Sequence, residues 1–322
     1  MKLGLIVAGQ YLNPSSAERR AQEMLEQVRL ARDLGFDSVW MTHHYLIEFQ
    51  TFQPIPMLGR MAAEAGTMEL GTAVYVLPLQ HPVEVAENFA TLDALSGGRL
   101  IFGVAMGYRE VEFAALGVPI AERAGRFEEG LSLIARLWTE DDVTSEGPFY
   151  PVRNATLAMR PVRQPRPPIW IGATVDSAIT RAARIGDAWM AGPRVRVPEL
   201  SKQLGVYRDA RRAAGRSVDG DYPIFREVVV RSTDAGARAA AGALDTKYAA
   251  YARWRYADTG FEDLVREAFV VGAPDSCVSA LERYRALGLT HVLARFQTPG
   301  VSQADALAGI RLFGERVMPK LR

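Results

Sequence analysis

Cysteine is almost missing from this chain: Cys277 is the only one, which excludes an internal disulfide framework and points to a reducing compartment. A dominant charge is missing too. With 38 basic against 37 acidic residues and no long run of either sign, neither nucleic acid nor an anionic membrane is expected as a principal partner. No apolar run reaches membrane-spanning length, and Leu3 to Ala8 is too short for the core of a signal peptide, so the expectation is a cytoplasmic protein. Three nucleotide and nucleophile signatures are absent as well. There is no Gly-x-x-x-x-Gly-Lys-Ser/Thr and no Gly-x-Ser-x-Gly, and Gly103 to Gly107 lacks the dinucleotide pattern. Histidine is scarce, at four residues, and only His43 and His44 lie close in sequence. Two neighbours on a strand cannot easily hold one ion together, so no metal site is expected.

What is present is an alternation of short apolar runs with amphipathic helix patterns from end to end. This is the signature of βα units winding a parallel sheet. The runs are Leu3–Ala8, Ser38–Met41, Leu70–Leu77, Leu100–Val104, Ile169–Gly172, Ala188–Met190, Ile224–Val230 and His291–Phe296. Gly35 stops the first helix, and His81-Pro82 opens a later one that Gly97-Gly98 ends. Eight strands with interleaved helices in a chain of 322 residues favour a closed (β/α)8 barrel, read as one α/β domain over 1–322. Two insertions are expected, at about 143–165, a hairpin, and about 244–270. In the second, Tyr248, Tyr251 and Trp254 recur every third residue before Tyr256 and Phe261, which suits packing or a lid over the barrel mouth.

In such a barrel the C-terminal strand ends form the active face. His43 and His44 follow the second strand there, and an imidazole exchanges a proton near neutral pH. Phe49, Phe52 and Met57 come next and would shape a substrate space or simply fill core. Gly71-Thr72-Ala73-Val74 is a run of small residues against which a flat ligand could lie, although a tight barrel interior asks for the same residues. Gly103 to Gly107 leads into Tyr108 and Arg109, which offer stacking and a cation; Arg109 could equally pair with Glu112 three residues on. Thr174, Val175, Asp176, Ser177 and Ala178 enter a helix directly after the fifth strand. Free N–H groups and hydroxyls there suit a phosphate, or a hydroxyl or Asp176 merely caps the helix.

With His43-His44, Gly71 to Val74, His81-Pro82, Leu95-Ser96-Gly97-Gly98-Arg99, Phe102-Gly103-Val104, Val271-Gly272-Ala273-Pro274 and Leu312 to Pro319, the chain resembles the bacterial luciferase-like flavin-dependent monooxygenases. The resemblance covers essentially the whole chain. It implies a (β/α)8 barrel with inserted segments, a flavin at its C-terminal mouth and a homodimer through the helices after the second and third strands. By the same resemblance His43 matches a catalytic histidine, and His44 is its structural neighbour at the substrate pocket. Ala73-Val74 falls on a cis peptide against the flavin ring, and Thr174 to Ala178 on the loop that holds the flavin phosphate. Three positions depart from the luciferase pattern. Ala105 replaces a reactive cysteine, Met106 a phosphate-binding arginine and Thr42 a glutamate; Arg109 or backbone N–H groups are expected to compensate at the phosphate, and light emission is not implied.

The activity so implied is oxygenation of a small organic substrate by reduced FMN and oxygen through a C4a-peroxyflavin, with the FMN reduced by a separate reductase, since no NAD(P)H fingerprint is present. The alternatives are hydride transfer with a deazaflavin and a non-catalytic flavin-binding barrel.

Overall fold

The computed structural model describes every residue except 8, 12–15 and 253–259, and the backbone alone over 246–252. Eight parallel strands form a closed ring: β1 Lys2–Val7, β2 Ser38–Met41, β3 Glu69–Thr72, β4 Leu100–Ala105, β5 Ile169–Ala173, β6 Ala188–Ala191, β7 Pro223–Val230 and β8 His291–Arg295. Each strand pairs with the next in the chain, and β8 returns to β1 with Lys2 opposite His291. Closure leaves the barrel no open sheet edge. Helices α1 Ala17–Asp33, α2 Pro54–Ala62, α3 Pro82–Ser96, α4 Arg123–Thr139, α5 Asp176–Ile185, α6 Val197–Ala213, α7 Pro274–Ala286 and α8 Gln303–Arg316 follow the strands in turn. The chain is therefore the (β/α)8 barrel that its alternating pattern predicts.

Local chemistry sets the element ends. Ser16 caps α1 by accepting the Arg19 N–H, and beyond its C-terminus Gly35 takes φ +78°, a conformation that glycine adopts without steric cost. The expected hairpin is present as Val143–Ser145 antiparallel to Val152–Ala155. One expected strand is corrected. Leu70–Leu77 does not run continuously: β3 ends at Thr72, the Ala73–Val74 peptide is cis, Tyr75–Val76 pairs again with β4, and a 3-10 turn covers Leu77–Leu79. An unbroken apolar run cannot report a turn made by its own backbone.

The barrel lumen is a packed plug of Ile6, Trp40, Ala73, Ile101, Trp170, Ala188, Met190, Phe225 and Leu293. Trp40 and Trp170 stack at 5.1 Å, and burying an indole of this size gains about 4–6 kcal/mol of gross transfer free energy. The same indole explains Gly71, where a Cβ would stand 2.2 Å from the Trp40 ring. A Cβ at Gly103 would stand 1.8 Å from the Thr72 carbonyl, so β3 and β4 approach only because that residue has no side chain. With the lumen filled below, the C-terminal strand ends are left as the place for chemistry.

Of the 244–270 insertion, helix Asp234–Ala252 and helix Phe261–Glu267 are described, and Phe261 packs near Phe269. Trp254 and Tyr256 lie outside the described residues, as do the side chains of Tyr248 and Tyr251. No helix among the described residues is long and apolar enough to cross a membrane.

Candidate active site at the barrel mouth

The two histidines after β2 occupy opposite environments. His43 is 3% exposed, with its ring stacked on Tyr75 at 4.4 Å and Tyr45 edge-on at 4.6 Å. Its Nδ1 accepts the Val76 N–H at 3.1 Å, so the neutral ring carries its proton on Nε2. Burial, reinforced by His44 and only partly opposed by Glu112 and a hydrogen bond with Gln53, pushes the His43 pKa down to about 3. At neutral pH this imidazole is a hydrogen-bond donor and does not become cationic.

His44 instead meets a carboxylate. Its Nδ1 lies 3.0 Å from Glu112 Oε1, and the same oxygen accepts the Tyr45 N–H at 2.9 Å and Arg109 Nη1 at 3.0 Å. Burial alone would raise the pKa of Glu112, but His44, the Tyr45 N–H and Arg109 outweigh it and hold the carboxyl below its ordinary range. Glu112 Oε1 is thus an acceptor shared by the His44 ring, the Tyr45 N–H and Arg109. Gln53 fixes the segment further by donating to the His44 carbonyl at 3.0 Å. The two rings thus sit in different surroundings: His44 is paired with a carboxylate, and His43 is buried and accepts the Val76 N–H.

Arg109 is engaged by the loop after β2. It is 6% exposed, and beyond Glu112 it donates to the Tyr45 carbonyl at 2.6 Å and the Leu46 carbonyl at 3.3 Å. The pairing of Arg109 with Glu112 is observed, and the cation clamps the loop after β2. A different arginine reaches Met106. Arg181 on α5 places Nη1 3.6 Å from Met106 Sδ while pairing with Glu128. Thr174, Val175, Asp176 and Ser177 are exposed, the N-cap residue of α5 is Val175, and no side chain caps the helix. The capping alternative for this loop is therefore not realised. Ala178 is buried, with its N–H bonded to the Val175 carbonyl at 2.9 Å. Across the mouth, a Cβ at Gly172 would meet Val74 at 3.1 Å and Ala105 at 3.6 Å, so β5 leaves room beside the Ala73–Val74 peptide. Tyr108 is half-buried, its ring edge-on to His44 at 6.2 Å. Met57 belongs to the core between strands and helices, Phe52 packs edge-on to Tyr11 at 6.5 Å, and Phe49 is buried; the core reading fits the first two better than a pocket does.

The sequence profile of the family described as luciferase-like monooxygenase matches residues 1–291. The chain belongs to this family. A relative from Microbacterium testaceum, an F420-dependent glucose-6-phosphate dehydrogenase, is 30% identical over 96% of each chain. Another, the oxygenase component of the flavin-dependent trigonelline monooxygenase of Acinetobacter baylyi, is 24% identical over 99% of this chain and 95% of its own. Among solved structures, monooxygenase RslO1 from Streptomyces bottropensis superposes over 100% of both chains with a TM-score of 0.92 and 28% identity. The chain is accordingly an oxidoreductase of the luciferase-like family, whose relatives include flavin and F420 enzymes.

The residues present fit such a cofactor. Small residues Ala73, Ala105 and Gly172 border one side of the mouth, and the first turn of α5 offers uncapped N–H groups beside the Ser177 and Thr174 hydroxyls, with Arg181 next to them. Sequence reasoning missed Glu112 as a member of the site, as well as Gln53, Tyr75 and Arg181. Only Glu112 had a signal, its helical spacing from Arg109.

Proposed function

We propose that the chain is an FMN-dependent monooxygenase acting on a small organic substrate, with reduced FMN supplied by a separate reductase. The observation that carries this reading is the end-to-end correspondence with monooxygenase RslO1, without a large insertion on either side. Bound reduced FMN would supply the electrons that activate oxygen. Ala73, Val74, Ala105 and Gly172 would receive its ring, and Thr174, Val175, Ser177 and Ala178 its phosphate, with Arg181 in place of the arginine that Met106 lacks. His43 contributes an Nε2–H donor that stays neutral across the working pH range. His44, oriented by Glu112, would exchange a proton with the bound substrate. The proposal includes a homodimer through α2 and α3, where Leu95 stands 59% exposed beside Gly59; sedimentation reads the mass directly.

A second reading, hydride transfer with deazaflavin F420, is favoured by the 30% identity to an F420-dependent dehydrogenase and by the cations Arg181 and Arg184 that α5 gathers around Glu128. One experiment separates the two. The purified protein is given chemically reduced FMN in air-saturated buffer with a panel of small ketones, and separately F420 with the matching alcohols. Oxygenated product with FMN supports the proposal; F420 reduction without oxygenated product replaces it with the second reading.

A further inference from the structure

The loop between β5 and α5 is held from behind by two buried side chains that the site described above does not include. Trp189 on β6, 2% exposed, donates its Nε1–H to the Ala173 carbonyl at 2.9 Å. Gln203 on α6, 6% exposed, donates from Nε2 to the Thr174 carbonyl at 3.1 Å. The next carbonyl, that of Val175, accepts the Ala178 and Ile179 N–H groups, each at 2.9 Å. All three carbonyls that lead into α5 are thereby occupied by the protein itself.

A trans peptide is planar, so its C=O and N–H point in opposite directions, and both peptides on either side of Thr174 are trans. Pinning the Thr174 carbonyl to α6 therefore aims the Val175 N–H away from α6. The Ala173 carbonyl, held by Trp189, does the same for the Thr174 N–H. Thr174 to Ser177 are exposed, and the backbone bonds of α5 begin only at Ala178, which leaves the Asp176 and Ser177 N–H groups open beside that of Val175. A flipped Thr174–Val175 peptide would put a carbonyl oxygen where an anion needs a donor. Gln203 has no packing reason to be an amide. The buried face of α6 is otherwise built from Leu200, Leu204, Tyr207 and Arg211, and an apolar side chain would fill the same position without the cost of burying a polar group. The bond to Thr174 is what the amide contributes.

We propose that Gln203 is a positioning residue for the phosphate: by fixing the Thr174–Val175 peptide from the far side, it presents the Val175 N–H, with those of Asp176 and Ser177, to the anion. The inference rests on the proposed function only in placing a phosphate at the first turn of α5.

The test compares the wild type with Gln203→Met, which keeps the length of the side chain and loses the donor; Gln203→Leu, which copies the apolar neighbours, serves as the second variant if the first does not fold. Two readouts are taken on the intact chain. Backbone amide shifts of Thr174 to Ser177 are followed by NMR during titration with inorganic phosphate, and reduced FMN and reduced riboflavin are titrated under argon by calorimetry. In the wild type, phosphate should shift the Val175 and Ser177 amides, and FMN should bind more tightly than riboflavin. Gln203→Met should lose the Val175 shift and weaken FMN by about tenfold, with riboflavin weakened by less than about twofold. Where the wild type prefers FMN, an unchanged ratio of FMN to riboflavin affinity in the variant overturns the proposal and leaves the proposed function intact. An equal loss of both ligands overturns it as well, making Gln203 a packing residue, and so do wild-type amides that do not respond to phosphate. A wild type that binds FMN no better than riboflavin, yet shows a Gln203-dependent phosphate shift at Val175, would remove FMN from the proposed function and leave Gln203 its positioning role.

Discussion

Acidification should destabilise this protein well above the pH at which its carboxylates titrate, and the cause is histidine. Burial, its first cause, pushes His43 down from 6.5 to about 3, and likewise pushes His291 down to about 4. In the unfolded chain both rings protonate as the pH falls through 6.5, while in the folded chain they stay neutral until about 3 and 4. Between those limits the unfolded state binds more protons, so stability falls as the pH falls. From pH 7 to pH 5 the linkage integral gives about 2 kcal/mol for each ring, about 4 kcal/mol together. Glu112 and Asp187, whose pKa values are lowered, act in the same direction but below this window, near and under the ordinary carboxylate range. The assay is urea unfolding at pH 7.0 and 5.0, for the wild type and for His43→Gln, whose amide oxygen can still accept the Val76 N–H. The variant should lose about 2 kcal/mol less than the wild type over this interval. Equal losses in the two proteins would refute the buried, neutral state of His43.

Other outcomes follow from single contacts. Glu112→Gln keeps the shape but removes the charge that faces His44 and Arg109; it should cost about 1–3 kcal/mol in urea unfolding and lower kcat, and an unchanged kcat would separate the Glu112–His44 contact from turnover. Arg181→Met should weaken FMN by about tenfold in an equilibrium titration while leaving riboflavin, which has no phosphate, unaffected; equal effects on both would deny Arg181 its phosphate role. Gly103→Ala forces a Cβ to 1.8 Å from the Thr72 carbonyl and should destabilise the barrel by more than about 3 kcal/mol, read by thermal unfolding.

The strands were legible because each is a short apolar run bounded by glycine, proline or charge, and seven of the eight observed strands fall within a residue or so of their expected limits. The exception, Leu70–Leu77, shows what hydropathy cannot report: a backbone reversal inside an unbroken apolar run. The histidine pair was legible as a location, while the surroundings of each ring were not. Only the tertiary neighbours, Tyr75 under His43 and Glu112 beside His44, decide which ring is stacked and buried and which is paired with a carboxylate. Arg109 illustrates the same limit. Its spacing from Glu112 revealed a partner, while its bonds to the Tyr45 and Leu46 carbonyls depend on a loop 63 and 64 residues away. The buried pair Glu227–Arg295 is 68 residues apart and left no pattern at all in the sequence.

The claim that unites these observations is that a flavin-type cofactor lies across the C-terminal mouth of the barrel, ring toward Ala73–Val74 and phosphate toward the first turn of α5. A crystal structure of the protein soaked with FMN tests it directly. Density for the ring beside Ala73, Val74 and Gly172, with the phosphate within hydrogen-bond distance of Ser177, is the predicted result. FMN bound away from the strand ends, or with its phosphate remote from α5, would contradict the account.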